Sequence, residues 1–197
     1  MSGLSMVRAA LWATVALIAG AAVALALMYA QGGPGRSGQT YGSSFALVDE
    51  TGQPFTETDL RGKPTAVFFG FTHCPDVCPT TLYELAGYQK QLSAEGGDLQ
   101  VVFVTVDPER DTPDVMKSYV EAVSPDIKAL TGSPEKVAAM LKGWGVYSRK
   151  VGEGDDYTMD HTATTFLIDE QGELAGTLAY GESPDTALAK LERLAGV

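Results

Sequence analysis

Two cysteines with three residues between them carry the most reactive chemistry in this sequence. Phe71-Thr72-His73-Cys74-Pro75-Asp76-Val77-Cys78-Pro79 follows an apolar run and precedes a helical pattern. α/β sheets place their sites at such strand-to-helix corners. Proline pushes the residue before it out of the helical region and suits the first helical position. This predicts Cys78 as the helix N-cap and Cys74 in the preceding turn. Both sulfurs then lie near a helix N-terminus, whose partial positive charge favours thiolate. Thiolates exchange with disulfides or bind soft metals. A disulfide needs Cβ atoms at about 3.8 Å, whereas a metal tolerates wider sulfurs, and this spacing permits both. An inert pair or a structural disulfide is the plainer alternative.

Two thiolates rarely complete a metal site, and the chain has only 2 His. His73 adjoins Cys74, so its side chain cannot easily turn to the same ion. His161 precedes the apolar run 164–169 and reaches the cysteine loop if that run pairs beside residues 65–71. Met159 is a soft donor that more often packs. Two sulfurs and one imidazole suit Cu(I). Zinc accepts the same set but usually takes four ligands, so residue types alone leave both open.

Several elements must position these residues. Residues 45–48 read as a strand, with a hairpin partner starting at Phe55. Residues 65–71 form a continuous apolar run, expected of a central strand buried on both faces. Residues 99–106 read as a second buried strand and 127–130 as a short one. Helices are expected over 80–92, with Leu82, Leu85 and Leu92 inward, over 112–123, capped by Asp111 or Thr112, over 134–144, stopped by Gly143 and Gly145, and over 184–194, capped by Ser183. Residues 164–169 and 173–179 flank Glu170-Gln171-Gly172 as a hairpin. Glu153 to Asp156 reads as an acidic surface loop. Strands alternating with helices predict an α/β sandwich.

Ahead of this domain, residues 9–30 are apolar and uncharged, about the length that crosses a bilayer. The expected organisation is a cytoplasmic tail 1–8, a transmembrane anchor 9–30, a Gly- and Ser-rich flexible linker 31–44 and a folded domain 45–197. A cleaved signal peptide is the alternative, but its apolar core is shorter. Both deliver the domain outside the cytoplasm. No Arg-rich transit segment precedes the run, which favours a bacterial inner membrane. The net charge of -11 argues against nucleic acid. A total of 2 Cys excludes a disulfide-dense scaffold or a four-thiolate zinc site.

Three blocks resemble the Sco/SenC family: residues 71–79, Asp107-Pro108-Glu109-Arg110-Asp111-Thr112, and Asp160-His161-Thr162. They occur in family order, within a likeness covering residues 41–197. Leu60-Arg61-Gly62-Lys63-Pro64 before an apolar strand is similar to the wider thioredoxin and peroxiredoxin superfamily. The resemblance implies a thioredoxin-like three-layer α/β/α sandwich with an N-terminal hairpin extension, tethered by one transmembrane helix and facing the periplasm. It implies copper, Cu(I) and Cu(II), held by Cys74, Cys78 and His161. It implies assembly of the dinuclear copper centre of cytochrome c oxidase subunit II by a monomeric, membrane-anchored protein. The alternative is a thiol-disulfide oxidoreductase that reduces that subunit's ligand cysteines, with Cys74 attacking and Cys78 resolving. Asp107 either tunes the site, docks a partner, or simply ends a strand. A peroxidase and a copper or redox sensor are weaker readings, since neither the peroxidase constellation nor a signalling domain is evident.

Overall fold

The computed structural model describes residues 3–30, 40–154 and 156–197, which fall into two compact units divided between Gln39 and Thr40. The first holds one helix, α1 (Gly3–Ala30). It begins inside the stretch expected as a tail; Met1 and Ser2 lie outside the described residues. Leu11, Trp12, Leu17, Ile18 and Leu25 are exposed on it. Among the described residues, no helix is long and apolar enough to cross a membrane. Of the expected linker, residues 31–39 lie outside the described residues.

The second unit starts at Thr40, within the stretch read as linker. The Tyr41 N–H donates to the Gly172 carbonyl at 2.6 Å, and its ring meets Trp144 edge-on at 5.2 Å. Strands β1 (Ala46–Asp49) and β2 (Pro54–Thr56) form the expected hairpin. A short 3-10 helix, Glu57–Leu60, leads to β3 (Thr65–Gly70), in which all six residues are buried. There follow α2 (Val77–Ala94), β4 (Gln100–Thr105), α3 (Pro113–Glu121), β5 (Ile127–Thr131) and α4 (Pro134–Trp144). The chain closes with β6 (Ser148–Val151), β7 (Thr158–His161), β8 (Thr165–Ile168), β9 (Leu174–Leu178) and α5 (Pro184–Ala195).

Seven strands make one mixed sheet in the order β2-β1-β5-β4-β3-β8-β9. β3 runs parallel to β4 and antiparallel to β8, pairing Phe68 with Phe103 and with Thr165. Successive side chains of a strand point to opposite faces. Phe69 meets Trp144 of α4 on one face, at 5.5 Å between ring centroids. Gly70 faces Cys78 of α2 on the other. Helices therefore cover both sides, as the unbroken apolar run of β3 requires.

Ser and Thr before Pro set three helix starts. Thr112, Ser133 and Ser183 cap α3, α4 and α5, each accepting from a backbone N–H in the first turn. Gly145 alone ends α4, at φ 68, where a left-handed residue closes a helix most easily without a Cβ; Gly143 lies inside the helix. Strands β6 and β7 are an addition to the elements expected from sequence. They pair antiparallel as a separate two-stranded sheet, and their SRKV and TMDH sequences lack a clear apolar alternation.

Candidate metal centre

The cysteine loop leaves the buried end of β3. The Cys74 N–H donates to the Phe71 carbonyl at 3.3 Å, closing a turn. Helix α2 starts earlier than its proline suggests. Asp76, not Cys78, is the N-cap, so Cys78 and Pro79 lie within the first turn. First-turn N–H groups have no partner inside the helix, so Pro79 costs no hydrogen bond there. Cys78 is fully buried and Cys74 half-buried; both are free thiols. A Cβ at position 70 would stand 2.7 Å from Cys78 Sγ and 2.8 Å from Phe103. Only glycine lets the helix bring that sulfur down onto the sheet.

Asp111 ties this loop to the next crossover. Its carboxylate accepts from the Thr72 N–H at 3.1 Å, the Thr72 hydroxyl at 2.6 Å and the Thr105 hydroxyl at 2.6 Å. Thr131 donates its hydroxyl to the Asp111 carbonyl at 2.7 Å. Asp111 is thus a buried crosslink, and Thr112 alone caps α3. Burial raises the Asp111 carboxyl above its ordinary range, against the pull of the Thr105 and Thr72 hydrogen bonds.

His161 arrives from the other side, at the end of β7. The Thr162 N–H donates to the Tyr147 carbonyl, and the Tyr147 N–H to the Thr162 hydroxyl, each at 3.0 Å. His161 Nδ1 lies 3.0 Å from the Thr162 carbonyl oxygen. A carbonyl only accepts, so Nδ1 carries the proton and Nε2 keeps its lone pair. Nε2 lies 3.6 Å from Cys78 Sγ. The imidazole packs edge-on against Phe71 at 5.8 Å. Burial lowers its pKa, opposed by the Thr162 hydrogen bond and Asp160, which favours the neutral ring, the form that donates electrons.

One ligand atom from each of Cys74, Cys78 and His161 lies within 4.8 Å of the other two. The set fits a soft cation of low coordination number. At Cys78 burial opposes the thiolate preference expected of a helix N-terminus. Burial pushes that thiol far above its ordinary value of 9.0, outweighing the hydrogen bond from the Phe71 backbone; Cys74 and Asp111 push it further up. A cation held between the sulfurs would supply the positive charge that offsets this desolvation.

The remaining candidates lie elsewhere. His73 is exposed, with Nδ1 3.1 Å from the Thr72 hydroxyl. Met159 packs against the core. Glu153 and Asp156 are exposed, and Asp155 lies outside the described residues. Asp107 is buried, so it is not a docking residue in this conformation. It accepts from Arg110 Nε at 2.5 Å and from the Tyr157 hydroxyl at 2.7 Å. Sequence reasoning missed Thr72 and Tyr157. Each is a polar residue whose partner is far along the chain, and no local spacing marks it.

A free thiol pair and an imidazole converging at a strand-to-helix corner define a class: an α/β domain built to hold a soft metal or exchange thiols. The SCO1/SenC family model matches residues 33–196, and the chain belongs to that family. It is 38% identical over 154 residues to Protein SCO2, mitochondrial, of Saccharomyces cerevisiae, covering 76% of this chain and 51% of that one. It is 38% identical over 138 residues to Protein SenC of Rhodobacter capsulatus, covering 70% and 62%. The chain spans about half the length of the yeast relative. A solved structure of Bradyrhizobium japonicum ScoI with copper bound is 40% identical, with a TM-score of 0.72, covering 79% of this chain and 99% of that one.

Proposed function

We propose that this chain is a copper metallochaperone whose cargo ion is held by Cys74 Sγ, Cys78 Sγ and His161 Nε2. The observation that carries the reading is the convergence of these three donors within 4.8 Å. Family membership supports it, as do the copper-bound ScoI of Bradyrhizobium japonicum and the copper-bound yeast Sco1, the latter 36% identical with a TM-score of 0.72. Soft sulfur and imidazole are the donors Cu(I) prefers. Cys78 and His161 hold the ion from the buried side. Cys74 is half-exposed, so an incoming thiolate from a partner displaces it first, and the ion passes by ligand exchange.

The recipient in this reading is the dinuclear copper centre of cytochrome c oxidase subunit II. The domain is thioredoxin-like, monomeric and held at the outer face of a bacterial inner membrane, with residues 9–30 as the anchor. The apolar, uncharged character of that run supports the anchor. A second reading has a specific observation in its favour. Two free thiols, one half-exposed and one buried, are also the arrangement of an attacking and a resolving cysteine. In that reading the pair reduces the recipient's ligand cysteines.

An anaerobic Cu(I) titration of the reduced protein against a competing chelator tests the proposal. The account expects one tightly bound copper, weakened in Cys74→Ser, Cys78→Ser and His161→Ala. Weak binding indifferent to His161 moves the assignment to the thiol-disulfide reductase.

A further inference from the structure

His161 ends a hairpin whose two strands bond to each other and not to the seven-stranded sheet. At its base, His161 faces Ser148 across the ladder. There the two arms are tied to each other, the Thr162 N–H donating to the Tyr147 carbonyl and the Tyr147 N–H to the Thr162 hydroxyl. Along β7 and the residue before it, exposed Thr158 and Asp160 alternate with buried Tyr157 and half-buried Met159 and His161. The period of two turns Tyr157, Met159 and His161 toward the domain together.

Tyr157 carries the other end. Its hydroxyl donates to Asp107 at 2.7 Å. Arg110 Nη1 donates to the Tyr157 carbonyl at 2.9 Å. The Arg110 guanidinium and the Lys150 ammonium each lie 3.6 Å from the centre of the Tyr157 ring. Lys150 also pairs with Glu109 at 3.4 Å. The segment that receives all this also carries Asp111, which holds the cysteine loop through Thr72. Asp107 and Asp111 are joined by a turn, with the Asp111 N–H donating to the Asp107 carbonyl at 3.0 Å. One short segment therefore grips the cysteine side with Asp111 and the histidine side with Asp107 and Arg110.

We infer that Tyr157 is a positioning residue for the metal site: latched to Asp107, it pins the far end of β7 and so holds His161 Nε2 at the cysteines. This rests on the metal-binding reading above. Without the latch, the far end of β7 is left to the Arg110 bond to the Tyr157 carbonyl, the cation–ring contacts and the packing of Met159, and the imidazole spends less time in register with the sulfurs.

Tyr157→Phe isolates the effect, because it keeps the ring beneath both cations and removes only the hydroxyl. In the metal-free reduced protein, amide hydrogen exchange over residues 148–161 should quicken about tenfold, the size of one lost buried hydrogen bond, with β3 and β4 unchanged. Cu(I) affinity should fall by up to about tenfold, the same factor as the lost hydrogen bond that holds the strand in register. That loss should vanish when Tyr157→Phe is added to His161→Ala, since no imidazole is left to misplace. Asp107→Asn, which weakens the same acceptor, should reproduce the pattern. If His161→Ala weakens Cu(I) binding and Tyr157→Phe does not, the positioning role is overturned and the metal reading stands. An additive loss in the double variant overturns it too, by showing general destabilisation. If His161→Ala leaves affinity unchanged, the metal reading falls and the positioning role with it.

Discussion

Cys78 rests on a strand hydrogen-bonded along both edges, whereas His161 sits on a two-stranded sheet that joins the main sheet by no ladder among the described residues. The sulfur is fixed by packing. Gly70, Phe103 and the first turn of α2 close around it. The imidazole packs edge-on against Phe71 but depends also on polar contacts, the Thr162 carbonyl on one side and the Tyr157 latch at the strand's far end. Packing is insensitive to solvent and dense, while individual hydrogen bonds contribute about 1 kcal/mol each. The site therefore joins a stiff half to a half that can be loosened, an arrangement suited to holding an ion and then releasing it.

The largest expected effect removes the stiff half's donor. Cys78→Ser should lower Cu(I) affinity by more than the roughly hundredfold that loss of an outer-shell partner can cost, read by chelator competition. A smaller loss would place the ion outside the cysteine corner. Next is the crosslink between the halves. Asp111→Ala strands the donors of Thr72 and Thr105 and should cost about 3 kcal/mol in denaturant unfolding. An unchanged midpoint would mean that the cysteine loop is held by packing alone.

The contrast also explains what was legible in the sequence. Strands β3 and β4 are continuous apolar runs, and Thr112-Pro113, Ser133-Pro134 and Ser183-Pro184 announce helix starts within a few residues. The stiff half was readable because its causes are local. The start of α2 misled because proline favours the first helical position yet is tolerated through the first turn. Asp111 looks like a cap beside Thr112-Pro113, but its partner Thr72 is 39 positions away. The β6–β7 hairpin escaped for the same reason. Its strands are short and polar, and its inward face is set by Tyr157 reaching Asp107, 50 positions distant. His161 was raised as a donor from its place before β8, and the resemblance made it the implied third ligand. How the fold carries it to the cysteines could not be read locally.

Smaller effects sharpen the comparison further. Gly70→Ala should destabilise by about 2 kcal/mol, the cost of overpacking a filled corner, and should disturb Cu(I) binding through Cys78 while leaving hydrogen exchange in β6–β7 unchanged. Faster exchange there would show that the halves are mechanically one.

The least of the effects is in pH. His161 titrates below its ordinary 6.5 in the folded domain, so the unfolded chain takes up its proton first as pH falls. Stability contributed there is present above about 6.5 and lost below it. Cys78 titrates above its ordinary 9.0, so the unfolded chain loses that proton first as pH rises. Its contribution is present below about 9 and lost above it. Stability of the metal-free reduced protein should therefore fall off on both sides. The acid limb should soften in His161→Ala and the alkaline limb in Cys78→Ser, and unaltered limbs would contradict the burial of these groups.

X-ray absorption at the copper edge of the reduced, Cu(I)-loaded protein tests most directly whether the two halves share one ion. The account predicts two sulfur neighbours and one nitrogen, with the nitrogen lost in His161→Ala. A shell of sulfur alone, the same in wild type and His161→Ala, would contradict it.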